Sequence, residues 1–233
     1  MGKLISEILD WSEVWALLIP LTILIWKKNR TPYLKPVRVF VWVAFILNIC
    51  IDFISNLKGH LGIQQTDFLW NNNVFYNIGS VVRFFLFAWF FILLKQKFLH
   101  RIKAIIPFVF LLFILINFIF FENFVPQGDF EIFSSRLLAT EAGLLLFYCL
   151  QYFIYIIVED RTVKLGQQPG FWGVTGLSIY VAVNFFVFLF YATLSKDPSP
   201  AQNNFVVKLW DVHNVVFIIF CILIAIQFAR KND

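Results

Sequence analysis

Apolar runs and short polar segments alternate along the whole chain, and seven of the runs are long enough to be helices. They cover about residues 14–26, 39–54, 74–94, 104–121, 137–158, 171–194 and 206–228. Most approach the roughly 20 apolar residues that a bilayer crossing requires. Pro107 falls in the first turn of the fourth run, where a missing donor matters little. The pattern predicts an all-α polytopic membrane protein, a single seven-transmembrane helix bundle over residues 1–233.

The polar segments between the runs alternate in charge. The segment after the first run carries Lys27, Lys28, Arg30, Lys35 and Arg38. KQKFLHRIK follows the third run, Arg161 and Lys164 follow the fifth, and ARKND closes the chain. The intervening segments, NLKGHLGIQQTDFLWNNN, ENFVPQGDFEIFSSR and SKDPSPAQNN, hold only scattered basic residues, and the N-terminal segment is acidic through Glu7, Asp10 and Glu13. Basic loops stay in the cytoplasm, so the N-terminus is expected outside and the C-terminus inside. The first run is not a signal peptide on this reading: its flank is not basic, no small-residue cleavage site follows, and KKNR acts as a stop-transfer signal.

The polar residues inside the runs carry what chemistry there is. Arg83 lies about 14 Å into the third run at 1.5 Å per residue, near the middle of a hydrocarbon core roughly 30 Å thick. A guanidinium there is tolerable only if it faces the bundle interior and meets a carboxylate, a carbonyl or water. Tyr76, Ser80 and Arg83 share a helix face, as do Asn48 and Asp52, and Glu141, Tyr148 and Tyr152. The seventh run contributes Trp210, Asp211, His213 and Asn214, and the sixth contributes Asn184 with Gly173 and Gly176 at a spacing that lets helices approach closely. The first and fourth runs hold almost nothing polar and are expected at the periphery. The other five would enclose a polar, outward-facing pocket with candidate ligand-binding residues Asp52, Asn77, Ser80, Arg83, Glu141, Tyr148, Asn184, Asp211, His213 and Asn214.

Composition agrees with this picture and excludes several classes. The chain is 60% hydrophobic and 14% charged, with a mean hydropathy of +0.78, against about 25% charged for soluble proteins. The 31 phenylalanines read as lipid-facing bulk, and the net charge of +5 resides in the loops, so neither points to nucleic acid. Cys50, Cys149 and Cys221 all fall in apolar runs and read as small hydrophobes. No metal site is expected: His60 and His100 lie in opposite loops and leave His213 without companions, which excludes zinc hydrolases of the ceramidase and adiponectin-receptor type. Lys208 is at the mouth of the last run, too shallow for a retinal Schiff base. No nucleophile elbow or Gly-rich phosphate loop occurs, so no catalytic residue and no cofactor are expected.

Three roles for the buried polar set remain open at this point. Arg83 pairs with Glu141, Asp52 or Asp211 and fixes helix packing, the set binds a ligand, or it moves protons or performs chemistry. His213 is either a hydrogen-bonded packing residue or a proton relay, for which Glu141 or Asp52 would be the carboxylate.

QQPGFWGVTGLSIYVAVNFFVFLFY and LWDVHNVVFIIFCILIAI carry a Pro-x-Phe-Trp entry to the sixth helix and Leu-Trp-x-x-His-Asn opening the seventh. With Pro169, Phe171, Trp172, Leu209, Trp210, His213 and Asn214 in these places, and NNNVFYNIGSVVRFFLF entering the third helix, the chain resembles small seven-helix inner-membrane proteins of Bacteroidota. That family has no assigned activity, so the resemblance implies a multi-pass location in a bacterial inner membrane and no mechanism. The functional expectation is a non-enzymatic sensor or binder of a small molecule or lipid, signalling through a membrane or cytoplasmic protein partner. The alternatives are a small-solute or proton-coupled transporter and an intramembrane lipid-modifying enzyme.

Overall fold

The computed structural model describes residues 8–9, 11–27, 31–61, 73–96, 99–122, 134–158, 164–194 and 200–230. The central parts of the segments read as outer loops, and much of the basic loop around Arg161, lie outside the described residues. Among those described are seven α-helices and no strand: α1 (Ser12–Lys27), α2 (Lys35–Leu61), α3 (Asn73–Leu93), α4 (His100–Phe120), α5 (Ser135–Val158), α6 (Phe171–Leu194) and α7 (Pro200–Ala229). Six of them contain a stretch long and apolar enough to cross a membrane, and the chain is a multi-pass helical membrane protein. The exception is α1, whose 16 residues extend about 24 Å. α2 and α7 extend beyond their apolar runs at their polar ends, because backbone hydrogen bonding continues where hydropathy stops.

The helices form a ring in the order α1, α2, α3, α5, α6, α7, with α7 returning to α1, while α4 lies outside against α3 and α5. The position of α4 follows from its sequence, since it offers little but apolar surface. Phe108, Leu112, Leu115 and Ile119 on its outer side are all more than half exposed, a surface suited to lipid chains. The expectation for the first helix fails. α1 is not peripheral but closes the ring, burying Ser12, Ala16, Leu17, Pro20 and Leu21 against α7 and α2. The side chains of this stripe are small or compact enough to let α7 approach, and its first turn continues through Glu13.

Contacts between side chains give the helix directions. α1 runs parallel to α7: Glu13 meets His213 near one end, and Lys27 Nζ donates to the Ala229 carbonyl at 3.0 Å at the other. α6 and α7 run antiparallel, from Gly173 beside Gln227 to Asn184 beside His213. Gly170 precedes α6 with φ +79°, a left-handed conformation, and its Cα lies against Phe90 and Leu94 at the end of α3. A side chain there would meet both strain and crowding.

The core is strongly aromatic. Phe84 and Phe110 join α3 to α4, with ring centroids 3.9 Å apart, and Phe87 packs on Phe40 and Phe220. Part of the phenylalanine content therefore fills the interior rather than facing lipid. Cys149 and Cys221 are buried free thiols in this core, and Cys50 is half-buried.

Candidate functional site

Two acid–base pairs from four helices occupy the interior of the bundle. In the first, the Arg83 guanidinium of α3 grips the Glu141 carboxylate of α5 bidentately, Nε to Oε1 at 2.5 Å and Nη2 to Oε2 at 2.7 Å. Ser80, one turn earlier on α3, donates to the same Oε2 at 2.6 Å. The remaining terminal nitrogen of Arg83 donates to the Tyr180 hydroxyl of α6 at 3.0 Å, and the guanidinium carbon lies 5.4 Å from the Tyr180 ring centroid. Tyr180 itself stacks on Phe220 of α7. Glu141 is therefore fully buried behind Arg83, satisfied by three charge-assisted donors. Of the three carboxylates that sequence offered Arg83, only Glu141 reaches it among the described residues.

The second pair was not legible in the sequence. His213 Nε2 faces Glu13 Oε1 at 3.1 Å, and His213 Nδ1 faces Asn184 Oδ1 at 2.7 Å. Both ring nitrogens thus oppose oxygens, and the imidazole donates to one or the other according to its tautomer. The carboxylate beside His213 is neither Glu141 nor Asp52, as expected, but Glu13 from α1. Glu13 reads as part of an acidic flank because Glu7, Asp10 and Glu13 precede the apolar run. The available signal was helical spacing: Glu13, Ala16, Leu17 and Pro20 lie on one stripe. Two neighbours hold Glu13 in place, Tyr76 Oη donating to Oε2 at 3.3 Å and Asn48 Nδ2 donating to the Glu13 carbonyl at 2.8 Å.

A cleft separates the two pairs. Glu13, Arg83, His213, Asn48, Tyr76, Tyr180 and Trp210 contribute to its lining, together with apolar residues that include Phe75, Phe188 and Phe217. It leaves about 60 Å³ in which the centre of a water-sized sphere can move, a space on the scale of several waters or one small head group. Both Arg83 and Glu13 keep a partly exposed edge toward it, at 17% and 16% side-chain exposure, whereas Glu141 keeps none.

The other expected site residues are distributed differently. Asp52 is half-buried on α2, near enough to Glu13 for their charges to interact, and Asp211 is half-buried on α7; neither lines the cleft. Asn184 lies one contact behind it, through His213, and Ser80 lies two contacts behind, through Glu141 and Arg83. Asn77 is elsewhere: its Oδ1 accepts from the Ser134 amide at 2.9 Å, while Ser134 Oγ caps the start of α5. Tyr148 is buried on the far side of α5, stacked on Phe91 with its hydroxyl donating to the Lys103 carbonyl at 2.7 Å. Asn214 is fully buried beside His213, and its amide atoms have no partner among the described residues. No group of three or more metal-ligating side chains occurs among the described residues.

No family model, no curated protein and no solved structure matches the chain. The geometry of the site alone therefore carries the functional argument.

Proposed function

We propose that the protein is a non-enzymatic seven-span bundle of a bacterial inner membrane, with its N-terminus outside, that binds a small molecule or lipid in this cleft. Occupancy would then be passed to a protein partner through the basic inner segments. The observation that carries the reading is the cleft itself, in which a guanidinium and a carboxylate from separate ion pairs each leave an edge unburied amid aromatic walls. A purely structural pair would be expected to bury both partners, as the Glu141 side of the first pair does.

The parallel course of α1 and α7 supports seven spans. From Glu13 to Lys27, α1 rises about 21 Å, and α7 rises about 24 Å from His213 to Ala229. A helix matched end to end with a spanning neighbour crosses with it, and modest thinning of the bilayer accommodates its length. The basic Lys27, Lys35 and Arg38 then lie on the side of the α7 C-terminus, as the positive-inside rule requires.

Native mass spectrometry of the detergent-purified protein tests the binding reading, with the double variant Arg83→Leu/Glu141→Met alongside. A discrete added mass on the wild type that the variant loses is expected. A bare mass for both proteins removes the binding role and leaves the charged pairs as packing devices.

The contact between Glu13 and His213 favours one second reading, proton-coupled transport, because a carboxylate and an imidazole at a cleft form a proton relay. Proteoliposomes loaded with a pH-sensitive dye distinguish the two. A binder moves no protons, whereas sustained flux that disappears in His213→Leu would establish the transporter.

A further inference from the structure

We propose that the ligand of the cleft is a small organic ammonium group, with Glu13 as its counterion and the aromatic walls as its cage; this rests on the reading that the cleft holds a ligand. The first argument is charge. Among the described residues that line the cleft, Glu13 is the carboxylate, Arg83 the guanidinium and His213 the imidazole. Arg83 is already neutralised by Glu141 through two hydrogen bonds. With the His213 imidazole neutral, the Glu13 carboxylate has no cation of its own among the described residues, and the group that completes the set is a monocation.

The second argument is the wall. Tyr76, Trp210, Phe75, Phe188 and Phe217 line the cleft around the exposed edge of Glu13. Trp210 stacks on His213 with centroids 4.9 Å apart, and Tyr76 meets Trp210 edge-on at 6.0 Å. Electron-rich ring faces attract cations, and alkylammonium groups, which hydrate weakly, gain most from a desolvated aromatic enclosure. A strongly hydrated inorganic cation would need several oxygen ligands, and the wall offers mostly carbon. An anionic or neutral ligand would leave the Glu13 carboxylate of the cleft uncompensated.

The third argument is the position of Glu13. Tyr76 holds one carboxylate oxygen and His213 faces the other, so the group is fixed while its outer edge stays available. The charge is presented to the cleft rather than withdrawn from it.

Such an ammonium could be a free solute or the head group of an amine-bearing phospholipid, and the experiment separates these sources. Choline and its uncharged isostere 3,3-dimethylbutan-1-ol are titrated into the purified wild-type protein, with thermal unfolding as the readout. Choline is expected to raise the transition saturably, and the neutral analogue to bind at least about tenfold more weakly. Glu13→Gln should lose about the same factor for choline, and Trp210→Leu should weaken it without altering the charge. In a parallel arm, native mass spectra are recorded from nanodiscs of mixed phosphatidylethanolamine and phosphatidylglycerol. Selective retention of the ethanolamine lipid, lost in Glu13→Gln, assigns the same site to a lipid head group. Equal binding of choline and the alcohol overturns the ammonium proposal while leaving the cleft as a site for neutral ligands. Failure of choline, its isostere and the amine lipid alike overturns it too. Because the isostere comparison uses only the wild type, a variant that does not fold leaves the test intact.

Discussion

Glu141→Met is expected to destabilise the bundle by about 3–5 kcal/mol, the largest loss of any single substitution considered. The substitution removes the carboxylate that accepts two hydrogen bonds from Arg83 and one from Ser80, and the guanidinium remains between α3, α5 and α6. Its one remaining partner, the Tyr180 hydroxyl, supplies no charge. An uncompensated cation held within the bundle is the costly part, not the lost attraction. The double variant Arg83→Leu/Glu141→Met should therefore recover most of the stability, because two apolar side chains of similar length fill the same space. Thermal unfolding in detergent of the wild type, the two single variants and the double variant yields the coupling energy directly. Additive losses, with the double variant the least stable of the four, would show that the pair contributes little as a pair.

Gly176→Ala is expected to destabilise by about 1–3 kcal/mol through overpacking, whereas Gly173→Ala should stay within about 0.5 kcal/mol of wild type. The two glycines look equivalent in the sequence, three residues apart on one face of α6. A Cβ at Gly176 would stand 2.9 Å from the Cβ of Leu223. That atom is set by the backbone of α7 and cannot rotate away, so the helices themselves must separate. At Gly173 the nearest atoms are the Gln227 Cγ and Ile224 Cδ1, both at 3.7 Å, which is ordinary contact. Separation at Gly176 would also shift Phe220, on which Tyr180 stacks, and so disturb the Arg83 site from behind. The same unfolding measurement decides it: equal effects at both positions would mean that the α6–α7 approach is looser than described.

The two predictions differ in how far the sequence anticipates them. An arginine at membrane depth has to find a partner, so a buried ion pair was legible in advance. Which of three carboxylates would reach it was not, because Asp52, Glu141 and Asp211 are all on interior-facing stretches of separate helices. Helix neighbours remove Asp211, which belongs to α7, but α3 packs on both α2 and α5, and only the placement of Glu141 beside Ser80 and Arg83 decides between the other two. His213 illustrates the same limit more sharply. Its carboxylate partner lies 200 residues away, on the helix whose sequence looked least involved.

Asn77 and Tyr148 show the converse. Both are polar groups at interior positions, and both read as site residues, yet each is used locally. Asn77 secures the start of α5 through Ser134, and Tyr148 ties α5 to α4 through the Lys103 carbonyl. A helix offers several inward directions, and periodicity states that a residue faces a neighbour without stating which neighbour.

What the sequence determined by itself is the material and the helices: long apolar runs, basic segments after alternate runs and a small set of polar residues that cannot face lipid. These follow from transfer free energy and backbone hydrogen bonding, both of which act along the chain. The tertiary structure decided the order of the ring, the entry of α1 into it, the pairing of Arg83 with Glu141 and of Glu13 with His213, and the cleft between them. Those depend on shape matching between helices distant in sequence, where a missing Cβ at Gly176 or a narrow stripe at Ala16 sets how closely two backbones approach. No periodicity within one helix records that.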